Sequence, residues 1–369
     1  MNHETAQEGE TRMTSRERVR TALAHRPTDR VPRLLYEEAI GYTPRIEQLL
    51  REHCAPKMPR DYFQMDITGV TMQPTSLPRT RFSAWLASEA DAMQADEWGV
   101  LWRGSGFHHF AHIESPLRDV QEFARLKEYP WPDLDQPYRF DGVSEQVAQL
   151  HRQGFAVAAF AGSVFEQSWY VRGMEQLMMD MAAEPEIAHY FFERIATFQR
   201  HAAAMFARAG VDIVITGDDV AGQNGLLMSL ETWREFLKPR LAATVRAVKA
   251  ANPDTFVFYH CDGNIEPAIP ELIELGIDIL NPVQPECMEP AMIKQRYGDR
   301  LSFWGTVSVQ RTMPFGTPAE VKAEVRARIR DVGRGGGLIL APAHVLGPET
   351  PWENIVAFFE AADDSGGLK

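Results

Sequence analysis

The chain has 369 residues, 38 Lys+Arg against 51 Asp+Glu and a net charge of −13. That balance argues against a phosphate-backbone binder, because nucleic-acid affinity comes mainly from clustered Lys and Arg. With 44% hydrophobic and 24% charged residues the composition is that of a globular protein, and no apolar run approaches the ~18 residues needed to span a bilayer.

Residues 1–12 are polar and acidic without an apolar period, and are expected to form a loose, disordered tail. The start MNHETAQEGETRM lacks a hydrophobic leader, and Cys54, Cys261 and Cys287 cannot build a disulfide framework, so a cytoplasmic protein is expected. Order begins at Thr14 or Ser15, either of which caps a helix through Arg16, Val19, Ala22 and Leu23 that stops before Arg26-Pro27. Eight strand candidates follow: Val31–Tyr36, Asp66–Thr71, Phe155–Gly162, Asp212–Asp219, Thr255–Asp262, Ile277–Val283, Leu301–Val307 and Gly337–His344. Amphipathic stretches separate the later ones, among them Leu230–Ala250 after Ser229, Pro267–Leu275, and Pro318–Val332 after Thr317. Strands alternating with helices make parallel βαβ units, and eight of them predict an α/β fold: a single (β/α)8 TIM barrel over residues 13–365. An open doubly wound sheet is disfavoured because no Gly-x-Gly-x-x-Gly follows the first strand. Residues 72–154 are too long for a βα connection and read as an insertion after the second strand, a hairpin and a helix over one barrel mouth. Its aromatic residues suit a lid or an ordinary mini-core. His108, His109 and His112 within it read as surface or lid histidines rather than a metal cluster. Met174, Met178, Met179 and Met181 have helical spacing and read as core.

In a barrel the reactive groups lie at the C-terminal strand ends. The third candidate strand runs out into Phe165-Glu166-Gln167-Ser168-Trp169, the fourth into Asp218-Asp219 and Gln223-Asn224, the fifth into His260-Cys261-Asp262, and the eighth into Ala341-Pro342-Ala343-His344. Strand alternation points His260 and Asp262 one way and Cys261 the other. Two imidazoles and a carboxylate, His260, Asp262 and His344, suit Zn²⁺ or Fe(II) with open positions. The same residues also suit a plain reading, in which Asp262 orients His260 or caps the next helix and His344 bonds within the mouth. Asp218 and Asp219 are candidates for substrate hydrogen bonds or acid–base work, or for a carboxylate at a helix N-terminus. Alternation sends the two to opposite sides.

The ordered set Asp218-Asp219…Gly222, His260-x-Asp262-Gly263-Asn264-Ile265, Phe303-Trp304-Gly305 and Ala341-Pro342-Ala343-His344…Pro351-x-Glu353-Asn354 resembles the uroporphyrinogen decarboxylase superfamily, from about Thr14 to Ala362. The resemblance implies a (β/α)8 barrel with its site at the C-terminal mouth. It covers two branches. In the decarboxylase branch an arginine-rich early motif grips substrate carboxylates, whereas Glu37 and Glu38 stand in the corresponding region here. That branch's tyrosine falls at Trp169, with Tyr170 one position off. The other branch contains metal-dependent methyltransferases that move methyl groups between corrinoid proteins and thiols or related acceptors. Its zinc site, His-x-Cys with a later Cys, is matched by His260, Asp262 and His344. Replacing two thiolates makes the site a harder, stronger Lewis acid. The resemblance is closer to this branch and implies a methyltransferase acting on a small methoxy or methylthio compound. Asp219 and Glu166 are its catalytic candidates, and Asp218, Gln223, Asn224 and Trp169 its substrate-binding candidates. The cofactors implied are Zn²⁺ (or Fe²⁺) and a corrinoid carried by a partner protein, and family habit allows a homodimer. A carboxy-lyase acting on a small carboxylic acid is the alternative, for which Arg33 and Arg172 are the available pocket cations.

Overall fold

A computed structural model describes residues 12–35, 42–104 and 111–364. The expected tail, except its last residue, and Glu37, Glu38, His108 and His109 lie outside the described residues. Among those described, the strands are β1 (Ile67–Gly69), β2 (Leu101–Gly104), β3 (Ala111–Glu114), β4 (Ala156–Ser163), β5 (Ile213–Gly217), β6 (Ala221–Gly222), β7 (Gly225–Leu226), β8 (Phe256–His260), β9 (Ile279–Asn281), β10 (Ser302–Val307) and β11 (Leu338–Pro342). Seven of them form one parallel sheet in the order β1-β4-β5-β8-β9-β10-β11. β5, β10 and β11 are buried along their whole length. This is why they read as continuous apolar runs rather than alternating ones. The chain is therefore an α/β protein.

The first expected strand shrinks to an isolated parallel bridge between Arg33 and Leu340. Its backbone nevertheless joins both edges of the sheet. Leu34 N donates to Leu340 O (3.1 Å), Leu340 N to Pro32 O (2.8 Å), and Asp66 N, just ahead of β1, to Arg33 O (3.0 Å). Pro32 has no N–H to give, which limits the ladder at this point.

Helix ends follow local chemistry. Thr14 and Thr317 each complete a capping box, on the helices Ser15–Leu23 and Pro318–Asp331. Ser229 caps Leu230–Phe236 through Thr232 N. The expected single helix over 230–250 divides there, because Pro239 opens a second helix, Lys238–Ala251. Helix Pro185–Ala209 begins with a proline in its first turn and ends at Gly210 with φ 89°.

The segment from 72 to 154 holds the antiparallel hairpin β2–β3, followed by the helices Phe123–Lys127 and Val143–Arg152. Its aromatic residues assemble a small core of their own. Tyr129 meets Trp85 and Trp131 at ring separations of 5.1 and 5.2 Å, and Trp98 meets Phe198 of the long helix at 5.9 Å. His112 is exposed on β3.

Candidate functional site

Strand register sets up the site. Gly217 of β5 lies opposite His260 of β8, and His260 opposite Asn281 of β9. A Cβ on Gly217 would come within 2.7 Å of the His260 Cβ and 2.8 Å of its carbonyl oxygen, so only glycine lets the two backbones approach. Beyond the strand end, Gly263 (φ 84°) passes over Gly222, and Asn264 N donates to Gly222 O at 2.8 Å. Cys261 is fully buried and its thiol donates to Asp262 O at 3.3 Å.

One ligand atom each from His260, Asp262 and His344 converge, all within 4.8 Å of one another. His260 Nδ1 and Asn281 Oδ1 are 2.5 Å apart, and Asn281 Nδ2 donates to Trp304 O at 2.8 Å. With its amide group so oriented, Asn281 accepts from Nδ1 and His260 presents Nε2 to the site, the usual outer support of a metal-binding imidazole. Nε2 lies 3.5 Å from Asp219 Oδ1 and 3.8 Å from Asp262 Oδ1, and His344 Nε2 lies 3.9 Å from Asp262 Oδ2. Donors bound tetrahedrally at ~2.0–2.2 Å stand roughly 3.3–3.6 Å apart, so the three groups, which lie within 4.8 Å of one another, would close in to share an ion.

Beside this cluster stands an acid–base group. Asp219 Oδ1 accepts from Asp262 N at 2.7 Å and so holds the loop that carries Asp262. Tyr170 OH donates to Glu166 Oε1 at 3.0 Å, the two residues lying four apart on one face of helix Phe165–Arg172. Burial pushes the Glu166 carboxyl up, the Asp219 charge pushes it further, and His260 opposes. Burial likewise raises Asp219, against the pull of His260 and with the help of Asp262. For His260, burial disfavours the cation, but Asp219, Asp262 and Glu166 outweigh it and hold the imidazolium up to about 9. The Tyr170 phenol is raised by burial and by Glu166.

These groups open onto a cavity of about 490 Å³, lined by Glu166, Gln167, Tyr170, Asp219, His260 and His344 together with Phe160, Ile195 and Phe198. Met72, Glu97, Trp98 and Leu134 of the 72–154 segment add to the wall. No lysine or arginine is among the described lining residues.

Four sequence candidates lie elsewhere. Asp218 is buried and its Oδ1 accepts from Phe165 N at 2.5 Å and Glu166 N at 3.4 Å, at the N-terminus of helix Phe165–Arg172. Gln223 and Asn224 form the exposed turn between β6 and β7, where Gln223 Nε2 reaches Gln310 Oε1 at 3.2 Å. Trp169 packs edge-on against Tyr170 at 4.2 Å and is not in the cavity wall. The two arginines named for carboxylate binding are engaged away from the cavity. Arg33 pairs with Asp363 and donates to Phe359 O and Phe63 O, while Arg172 pairs with Asp180 and donates to Leu117 O and Val120 O. Gln167 and Asn281 are site residues that the motif reading did not choose, and Tyr170 entered it only as the residue one position off the decarboxylase tyrosine. The i, i+4 spacing from Glu166 would have found Tyr170, and no local signal marks the other two.

The family described as Uroporphyrinogen decarboxylase (URO-D) matches residues 14–365. The chain belongs to this family. Its similar proteins fall on both sides of the family's chemistry. A methylcobamide:CoM methyltransferase of Methanosarcina barkeri is 29% identical over 177 residues, 47% of this chain and about half (49%) of that protein's length. A uroporphyrinogen decarboxylase of Crocosphaera subtropica is 26% identical over 260 residues, 68% of this chain and 69% of its own. Among solved structures, a methyltransferase from Methanosarcina mazei superposes with a TM-score of 0.68 at 19% identity, covering 95% of this chain and 99% of its own, a likeness of fold. The family's named members are thus enzymes, methyltransferases or decarboxylases. Among the described residues no helix is long and apolar enough to cross a membrane.

Proposed function

We propose that this URO-D family chain is a metal-dependent methyltransferase-like enzyme that demethylates a small methoxy or methylthio compound, with a corrinoid protein as its methyl-carrying partner. The convergence of His260, Asp262 and His344 at the strand ends, beside Glu166 and Asp219, carries this reading. These three residues would hold Zn²⁺, or Fe²⁺ as the alternative. The bound ion would supply Lewis acidity toward the substrate's oxygen or sulfur. Asn281 orients His260, and Asp219 positions the Asp262 loop. Glu166, whose carboxyl burial and the Asp219 charge push up, would deliver a proton to the heteroatom as the methyl group passes to the corrinoid partner, and Tyr170 would steady the carboxylate that results. Within the proposal, the sheet and segment 32–34 form a (β/α)8-type barrel, and residues 72–154 act as its lid.

The carboxy-lyase alternative is less well supported. A carboxylate substrate calls for a cation in the pocket, and Arg33 and Arg172 are both committed to protein partners. The test is elemental analysis of protein purified without a histidine tag and incubated anaerobically with Zn²⁺ or Fe²⁺, beside His260→Ala and His344→Ala. Near-stoichiometric metal in the parent, lost in both variants, is expected. A parent that takes up neither ion overturns the reading and shifts the weight to metal-free acid–base chemistry around Asp219 and His344.

A further inference from the structure

Three features of the cavity bear on what enters it. The first is Gln167. Its side-chain amide nitrogen is buried and has no hydrogen-bond partner among the described residues, although the residue lines the cavity. A buried donor left unpaired costs about 1–3 kcal/mol and calls for an explanation. Gln199, the other amide in the wall, is different: its Nε2 donates to Gly162 O at 2.6 Å and its Oε1 accepts from Thr244 Oγ1 at 3.1 Å. Gln199 is tied into the protein, whereas the Gln167 amide nitrogen has no such tie among the described residues.

The second feature is apolar. Phe160 lies in the middle of β4, where its neighbours are buried, yet is 40% exposed, and it lines the cavity. Trp98 and Phe198 stand edge to face at 5.9 Å in the same wall. Such surfaces favour a flat ring set among them. The third feature is charge. Glu97, Glu166 and Asp219 line the cavity without a lysine or arginine among the described residues of the wall. Arg139, which pairs with Glu97 of the wall, is buried and also pairs with Asp133. An anionic substrate would meet these three carboxylates with no lysine or arginine to offset them, and the one imidazolium in the wall, His260, is already shared among Asp219, Asp262 and Glu166.

We infer that the substrate is an uncharged methylated aryl compound, seated among Phe160, Trp98 and Phe198, with an acceptor atom on the ring bound by Gln167 Nε2, and that anionic analogues of the same shape are rejected. The inference rests on the methyl-transfer reading for the bond that is broken, but the recognition it describes is a matter of binding alone.

Isothermal titration calorimetry on the purified protein at pH 7 tests it with three probes: 4-methoxyphenol, anisole and 4-methoxybenzoate. We expect 4-methoxyphenol to bind at least tenfold more tightly than 4-methoxybenzoate. Gln167→Leu, with Gln167→Met as a second apolar variant, is expected to weaken 4-methoxyphenol about five- to tenfold and to leave anisole within about twofold, the signature of one lost hydrogen bond. Phe160→Ala is expected to weaken 4-methoxyphenol and anisole alike. Equal or tighter binding of the benzoate overturns the inference, as does a loss for anisole in both Gln167 variants as large as that for 4-methoxyphenol. Because no methyl acceptor is present, these results stand apart from turnover. The expected binding pattern in a protein that then fails to demethylate with metal and a corrinoid supports the inference while defeating the methyl-transfer reading.

Discussion

His260 faces Asp219 and Asp262 across 3.5 and 3.8 Å, with Asn281 fixing its other nitrogen. Burial works against its cation, but the surrounding carboxylates prevail and its pKa stands at about 9 instead of the ordinary 6.5. A histidine raised on folding stabilises the native state below its unfolded pKa, and that stabilisation is lost as pH rises through the folded value. In metal-free protein this group should therefore contribute fully below about pH 6.5 and fade by about pH 9, a difference on the order of 3 kcal/mol. Glu166 and Asp219, also shifted upward, add a slope of the same sign at lower pH. Denaturant titrations of chelator-treated protein at pH 6 and pH 9.5 measure the effect. His260→Gln should flatten it, and an unchanged slope in that variant would contradict the assignment.

Helix Phe165–Arg172 places Glu166 and Tyr170 at the cavity, yet its own N-cap, Val164, makes no side-chain capping bond. Asp218, 53 residues away in sequence, accepts the Phe165 N–H instead. Burial pushes the Asp218 carboxyl well up, and the charge of Glu166 adds to that. What the helix requires from Asp218 is thus an acceptor oxygen more than a charge. Asp218→Ala should cost about 1–2 kcal/mol, as lost helix caps do, and Asp218→Asn distinctly less. Chemical denaturation midpoints decide this, and equal losses in the two variants would mean that the helix requires the carboxylate itself and not only an acceptor oxygen.

Across the whole molecule, segment 32–34 connects strands that are neighbours neither in sequence nor in the sheet order. Its buried arginine extends the connection to the C-terminal helix Trp352–Asp364 through Phe359 O and Asp363, and to Phe63 through its carbonyl. Asp363 is largely exposed and adds little by itself, so the carbonyl bonds dominate. Arg33→Leu should lower stability by about 2–4 kcal/mol, because buried carbonyls lose their donor, while probe affinities in the cavity stay unchanged. Equilibrium unfolding and calorimetry on the same variant check both halves. A change in ligand affinity with stability intact would place Arg33 in the site after all.

Much of this was legible along the chain because it depends on short-range rules. Runs such as Ile213-Val214-Ile215 mark buried strands, Thr14, Ser229 and Thr317 mark helix starts, and His260-x-Asp262 puts two ligand types on one side of a strand end. Other features needed the folded chain, for an identifiable reason: they rest on contacts between distant segments, or on backbone beyond the last regular residue. β5 ends at Gly217, so Asp218 and Asp219 lie past the ladder, and only the approach of helix Phe165–Arg172 decides that one caps it while the other faces the cavity. Trp169 and Tyr170 are adjacent in sequence, and helix phase alone puts Tyr170 in the wall. Asn281 meets His260 through strand register, and the unpaired amide nitrogen of Gln167 shows itself only among the folded, described residues. The residue types and their order determined which chemistry was available, and packing between remote segments decided which of those groups face one another.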